Sequence, residues 1–217
     1  MMRALVLALS LSAIASAPLA AQGSDPDRKV AGGGALPAGW QLRLDRANAN
    51  AADAKVVKAG NGYQITTGPS GVFYNAAETA TGSYGVEATF TQLKAPTHPE
   101  AYGIVFGGKN LDKPTQEYFY FIVRGDGKYM VKHRANDTEV HTIKDWTAHE
   151  AIKAQDASGK ATNALAVVVG PQTVSYRVNG TEVFAQDLAG VSGMVGLRVN
   201  HNLDVQVDRF SVSKGGK

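Results

Sequence analysis

No cysteine occurs anywhere in the 217 residues. That excludes a disulfide-stapled scaffold and a thiolate metal site, so the fold must rest on a core large enough to stand alone. Basic blocks are missing too. The formal net charge of +3 is small and scattered, and no stretch has the footprint of a nucleic-acid binder. No segment carries the apolar period of a long amphipathic helix, and no repeat with a period of roughly 20–50 residues is visible. The histidines at 98, 133, 141, 149 and 201 form neither His-x-His nor His-Glu-x-x-His, which argues against zinc.

What is present begins with an address. Met1 to Ala21 has the pattern of a secretory signal peptide: Arg3 in the n-region, an apolar run from Ala4 to Ala17, and Ala20-Ala21 as the small-residue cleavage site. The apolar run is shorter than the roughly 20 residues that cross a bilayer, so removal is expected and not a membrane span in the mature chain. A periplasmic or secreted location follows. Residues 22–38 (QGSDPDRKVAGGGALPA) are polar, Gly-rich and aperiodic, and are expected to be a flexible leader. The domain is expected over residues 39–214.

Within it, strand signals recur about every ten residues, the spacing of an all-β sandwich. Trp40, Leu42 and Leu44 alternate; Val86, Ala88 and Phe90 alternate against Glu87, Thr89 and Thr91. Asn61-Gly62 and Asn179-Gly180 mark hairpins. Residues 145–162 break the rhythm and are expected to be a long loop pinned by Trp146 and Ile152. In the closing segment Val205 and Val207 differ in parity from Phe210 and Val212, which predicts a β-bulge at Asp208-Arg209. The expected architecture is an antiparallel β-sandwich.

Its centre is the hairpin QEYFYFIVRGDGKYMVKHRA, Gln116 to Ala135. Taking Asp126-Gly127 as a type I′ turn sets Arg124 opposite Tyr129, Ile122 opposite Val131 and Tyr120 opposite His133. On that register Tyr120, Ile122, Tyr129 and Val131 form the core face. Phe119, Phe121, Lys132 and Arg134 form the face open to a ligand.

The order of these segments, YGIVFGG, EYFYFIV, KYMVKHR, a Trp-bearing stretch, VSYRVNGTEV and GMVGLRVN with VQVDRFSV, resembles the concanavalin A-like lectin/glucanase jelly roll. Among its members the chain is most similar to laminin-G and family-16-laminarinase-like modules, including the 3-keto-disaccharide hydrolase-like group. The resemblance implies an exported carbohydrate-binding module. The Glu-x-Asp-x-x-Glu motif that supplies both catalytic carboxylates of the family-16 glucanases is missing, which argues for a non-catalytic module. A glycoside-processing hydrolase and a structural or protein-interaction domain without a small ligand are the alternatives.

Sugar rings stack their C–H faces on aromatics and need directional partners for their hydroxyls. Phe119, Phe121, Lys132 and Arg134 supply both kinds, with Tyr102, Trp146 and His201 expected at the rim. The resemblance also suggests calcium through Asp208, since many such folds hold the ion near the last strand. The bland alternative is a bulge Asp bonding its own backbone.

Overall fold

The computed structural model describes residues 25–215, so the expected signal peptide lies outside the described residues. The described chain forms fourteen strands: β1 (Trp40–Leu44), β2 (Ala54–Ala59), β3 (Gly62–Thr67), β4 (Gly71–Ala80), β5 (Tyr84–Gln92), β6 (Ala101–Lys109) and β7 (Glu117–Arg124), then β8 (Lys128–Arg134), β9 (Val140–Ala148), β10 (Ala161–Val169), β11 (Thr173–Val178), β12 (Thr181–Asp187), β13 (Gly193–Val199) and β14 (Asp204–Lys214). They build two antiparallel seven-stranded sheets. The front sheet runs β1-β4-β13-β6-β7-β8-β9 and the back sheet β12-β11-β10-β5-β14-β3-β2. Chain neighbours such as β3 and β4 fall in different sheets, so the strands wind back and forth across one sandwich.

Between the sheets lies the main core. Phe73, Phe90, Tyr102, Ile104, Phe106, Phe121, Val167 and Tyr176 are all fully buried there. Its densest part is aromatic: the Tyr176 ring of the back sheet sits 5.3 Å from Phe121 and 6.0 Å from Phe106 of the front sheet, both tilted or edge-on. Edge contacts of this kind add about 0.5–1.5 kcal/mol to the area each ring removes from water.

The central hairpin has a different register from the one its sequence predicts. Arg124 pairs with Lys128, Ile122 with Met130, Phe121 with Val131 and Phe119 with His133. Three residues, Gly125-Asp126-Gly127, make the loop instead of two. The Gly127 amide donates to the Arg124 carbonyl, and Gly127 has φ +80°, which is a turn followed by a left-handed glycine. A slip of one residue exchanges faces. Phe119, Phe121, Tyr129 and Val131 therefore point between the sheets, while Tyr118, Tyr120, Ile122, Met130, Lys132 and Arg134 point out of the sandwich. The division of faces expected from the sequence is corrected accordingly. Tyr120 and Ile122 leave the main core, and Phe119 and Phe121 enter it.

The bulge in β14 falls where parity placed it. Asp208 pairs with Thr89 and Ser211 with Glu87, Arg209 takes φ +56°, and Phe210 and Val212 pack against the main core with Val205 and Val207. β9 runs through Trp146, so the long loop begins only after Ala148. That loop is held by buried Ile152, by Asn163, whose side chain bonds both the amide and the carbonyl of Lys153, and by Gln92, which donates to Gly159 O at 2.7 Å.

The described part of the leader is fastened to the fold. Arg28 donates to Thr67 O, Leu203 O, Asp204 and, through its amide, Asn202 Oδ1. Val30 and Lys29 bond Asp53, the Gly34 amide bonds Ala54 O at 2.8 Å, and Leu36 packs on the core. Arg28, the Lys29 and Val30 bonds to Asp53 and the Gly34 amide together hold this stretch as a strap, in place of the flexible leader expected.

Two outcomes follow. Phe121→Ala, which empties an aromatic site between the sheets, is expected to lower stability by about 3–5 kcal/mol in urea unfolding; a cost below about 1 kcal/mol would return Phe121 to an exposed face. Arg28→Ala is expected to speed amide exchange at Gly34 at least about tenfold while core amides of β7 and β10 keep their protection.

Candidate functional site

Because the front sheet presents Tyr118, Tyr120, Ile122 and Met130 outward, its outer face carries a second apolar layer, with Val72, Tyr74, Ala101, Val105 and Leu111. Set into that layer is Arg198 of β13, only 5% exposed. Its guanidinium forks onto both carboxylate oxygens of Asp45, just past β1, donates to Tyr118 Oη at 3.4 Å and lies 4.7 Å over the Tyr120 ring. Arg134 of β8 donates to Tyr118 Oη at 3.0 Å and to the carbonyls of Asn136 and Asp137, and its charge stands 4.0 Å from Asp45. Arg43 of β1 is paired with Asp137, which also accepts from Gln116.

These pairs define the shape of the face. β1 and β8 are five steps apart in the sheet, roughly 24 Å along a flat sheet at about 4.8 Å per step. Yet Arg43 meets Asp137 and Asp45 approaches Arg134 across the outer face. The sheet must be curled and its flanking turns folded inward, so the outer face is the concave one. The tyrosines beneath are closed over: Tyr74, Tyr118 and Tyr120 are 4%, 1% and 5% exposed.

Electrostatics keep the network ionised. Burial alone would raise the Asp45 pKa, but the Arg198 charge and hydrogen bonds, with Arg134 and Arg43, hold it below the usual carboxylate value. Burial works against the Arg198 charge as well, and Asp45 more than compensates. The Tyr118 and Tyr120 phenols are pushed up by burial and stay neutral hydrogen-bonding groups.

At one end the network opens. Asp45 lines a groove of about 260 Å³ with Asp27, Arg46, Pro69, Ser70 and His201. His201 is held there by Glu100 at 2.7 Å and Asp27 at 3.5 Å, and Asp27 also pairs with Arg46. At the other side of the face Trp146 lies under the Arg124 guanidinium, 4.2 Å from its ring centre.

The residues expected at the site divide. Lys132, Arg134 and Trp146 do share the concave face, and His201 stands at its open end. Phe121 and Tyr102 are fully buried between the sheets, where burial pushes the Tyr102 phenol up to about 12. Phe119 is stacked on His133 at 4.4 Å on the same inner side. A ligand cannot reach Phe121 or Tyr102 without parting the sheets, and the half-buried Phe119 has its ring stacked between Phe106 and His133. Sequence reasoning missed Tyr118, Tyr120, Arg198, Asp45, Arg43 and Asp137. The available signal was the second glycine in Gly125-Asp126-Gly127, which favours the three-residue loop and turns both tyrosines outward. Asp208 accepts from Gln206 and sits against the β2–β3 turn, where a side chain on Gly62 would meet it. Among the described residues no group of three or more His, Asp or Glu side chains is disposed to hold a metal ion, so Asp208 brings one carboxylate and not a set.

With this geometry, likeness to solved structures can be weighed. No protein-family model matches the chain, and no curated protein matches it in sequence. Solved structures do match in fold. A carbohydrate-binding module, CBM66 from Bacillus subtilis, superposes with TM-score 0.59 at 10% identity, covering 81% of this chain and 96% of that one. A Bacillus subtilis protein of galectin-like fold gives 0.60 at 12% identity over 81% and 89%, and Bacillus licheniformis β-glucanase 0.53 at 12% over 84% and 95%. The chain has the two-sheet jelly-roll sandwich fold of these structures. At these identities the likeness speaks to the fold alone.

The ion network predicts an acid-sensitive fold with a defined sign. The folded pKa of Asp45 lies below its unfolded value near 3.8. Its contribution is therefore complete above about pH 4 and lost as pH falls through the folded value. Asp45→Asn should cost about 3 kcal/mol at neutral pH by leaving Arg198 buried without a counter-charge. It should also flatten the decline of stability below about pH 4, measured by urea unfolding across that range. Equal acid slopes in both proteins would rule the pair out as the cause.

Proposed function

We propose that the protein is an exported, non-catalytic carbohydrate-binding module that takes a glycan along the concave face of the front sheet. One observation carries the reading: Asp45 joins an open, sugar-sized groove to a buried network of Tyr118, Tyr120, Arg134 and Arg198. Neutral phenols, fixed guanidinium N–H groups and a carboxylate beside aromatic rings are the groups that sugar hydroxyls and C–H faces require. The names of matching structures, a carbohydrate-binding module, an alginate lyase and a β-glucanase, give the reading further support.

A hydrolase is less well supported. Glycosidases need one carboxyl group held protonated as an acid, whereas Asp45 is held ionised among arginines. The closure of the tyrosines favours a second reading, a protein-interaction domain without a small ligand.

A glycan array probed with the protein, with and without EDTA, is expected to return a saccharide ligand. Ser70→Trp, which fills the groove, should weaken binding at least about tenfold without changing the melting temperature. Silence across the whole array would defeat the carbohydrate reading in favour of the interaction domain. Loss of binding in EDTA would support calcium at Asp208, and indifference would remove it.

A further inference from the structure

Cations are unevenly placed on the concave face. Strand β8 points Lys128, Lys132 and Arg134 outward along one line, roughly 20 Å end to end at about 3.4 Å per residue. Arg43 and Arg198 face this line from across the cleft. The carboxylates among them are Asp45 and Asp137, with Asp112 near Tyr74 and Asp126 already shared by Arg124 and Lys128. Among the described residues Lys132 takes part in no ion pair, although it stands directly across from Tyr120. Arg198 Nε is buried with no acceptor. In the groove, Asp27 pairs with Arg46 while Glu100 and Asp25 lie beside His201, so the cation surplus belongs to the β8 line and Arg43 and not to the groove.

Resting on the carbohydrate reading above, we propose that the glycan is an anionic one, a chain of uronic acid residues, whose carboxylates engage Lys132 and Arg43. The physical reason is exchange. Arg43 with Asp137, and Arg134 with Asp45, are pairs between side chains of distant strands, 4.0 Å apart in the second case and partly open to water in the first. A sugar carboxylate can replace Asp137 on the partly exposed Arg43 by side-chain rotation, with Lys132 free to take the next carboxylate, while the buried Arg134 keeps its bonds to Tyr118 and to the Asn136 and Asp137 carbonyls. Arginine receives such a group through paired N–H donors, and the repeat of carboxylates along a uronan matches a line of cations better than a single anion does.

The test is calorimetric titration of the protein with oligomers of galacturonate, guluronate and glucuronate, their methyl esters, and neutral cello- and xylo-oligomers. Acidic oligomers are expected to bind, the methyl esters at least about tenfold more weakly, and the affinity to fall as salt screens the charges. Lys132→Ala should weaken the acidic ligand about three- to tenfold with the melting temperature unchanged, and Arg43→Gln should weaken it by a similar factor while lowering the melting temperature, because its pair with Asp137 is lost. Arg177→Gln, exposed on the back sheet, should have no effect. Equal affinity for acid and ester, binding of neutral oligomers alone, or an equal loss in Arg177→Gln would overturn the anionic assignment. Failure of every glycan, acidic and neutral, would instead overturn the carbohydrate reading on which it rests.

Discussion

A guanidinium buried in an apolar layer has to be neutralised, and Arg198 imposes that requirement on the whole front sheet. Its position on β13, near the middle of the sheet, is fixed by strand pairing with β4 and β6. The carboxylate that answers it, Asp45, belongs to the chain just past edge strand β1. Bringing the two together over the outer face draws the edge inward. The same carboxylate then stands near Arg134 of β8, and Arg43 of β1 reaches Asp137 beyond β8. Curvature, closure and the burial of three tyrosines are linked to one ion network. Separating its partners would leave charges in a low-dielectric layer, a far larger penalty than the loss of a surface pair.

That network also explains why the front sheet has two apolar faces. Every residue of β6 from Ala101 to Gly108 is buried, and β7 buries Tyr118, Tyr120 and Ile122 outward as well as Phe121 and Val123 inward. A strand covered on both sides loses the alternation that marks a half-solvated one. The back sheet keeps it: β10 alternates strictly, with Ala161, Asn163, Leu165, Val167 and Val169 inside. The two sheets therefore differ in kind. The back sheet has one core-facing side and one polar side, whereas the front sheet is the middle layer between a main core and a charged, aromatic cleft.

The same difference accounts for what was legible beforehand. Strand positions, the sandwich and the bulge at Asp208-Arg209 could be read because they rest on local alternation and parity, which the back sheet displays plainly. Asn179-Gly180 also reads correctly, since both residues take positive φ and Val178 pairs with Thr181 across a two-residue loop. Asp126-Gly127 does not, because only Gly127 takes positive φ and closes a three-residue loop, and the apolar pattern of β7 fits either register equally well. With aromatics at Tyr118, Phe119, Tyr120 and Phe121 in succession, parity has nothing to choose between. The partners of Arg198 and Arg28 were hidden for another reason. Each lies more than 150 residues from a partner, Asp45 or Asp204, and nothing local marks such a pairing. The leader looked loose for the same reason, since its composition is that of a linker and its anchors, Arg28 first among them, bond residues far along the chain.

The chemistry of the concave face limits what it can do. A buried network of this kind is costly to rearrange and cheap to leave in place, so it suits recognition by fixed groups more than a cycle of proton transfers. Its carboxylate is kept ionised by three arginines and its phenols are kept neutral by burial, so the network presents fixed charges and fixed hydrogen-bonding groups. What remains mobile is the perimeter: Arg43 with Asp137, Lys132, Arg124 over Trp146, and the open groove at Asp45. A rigid polar floor with exchangeable ions at its edge can discriminate ligands by charge and by the direction of their hydroxyls. That division of labour is the one the proposed binding surface requires.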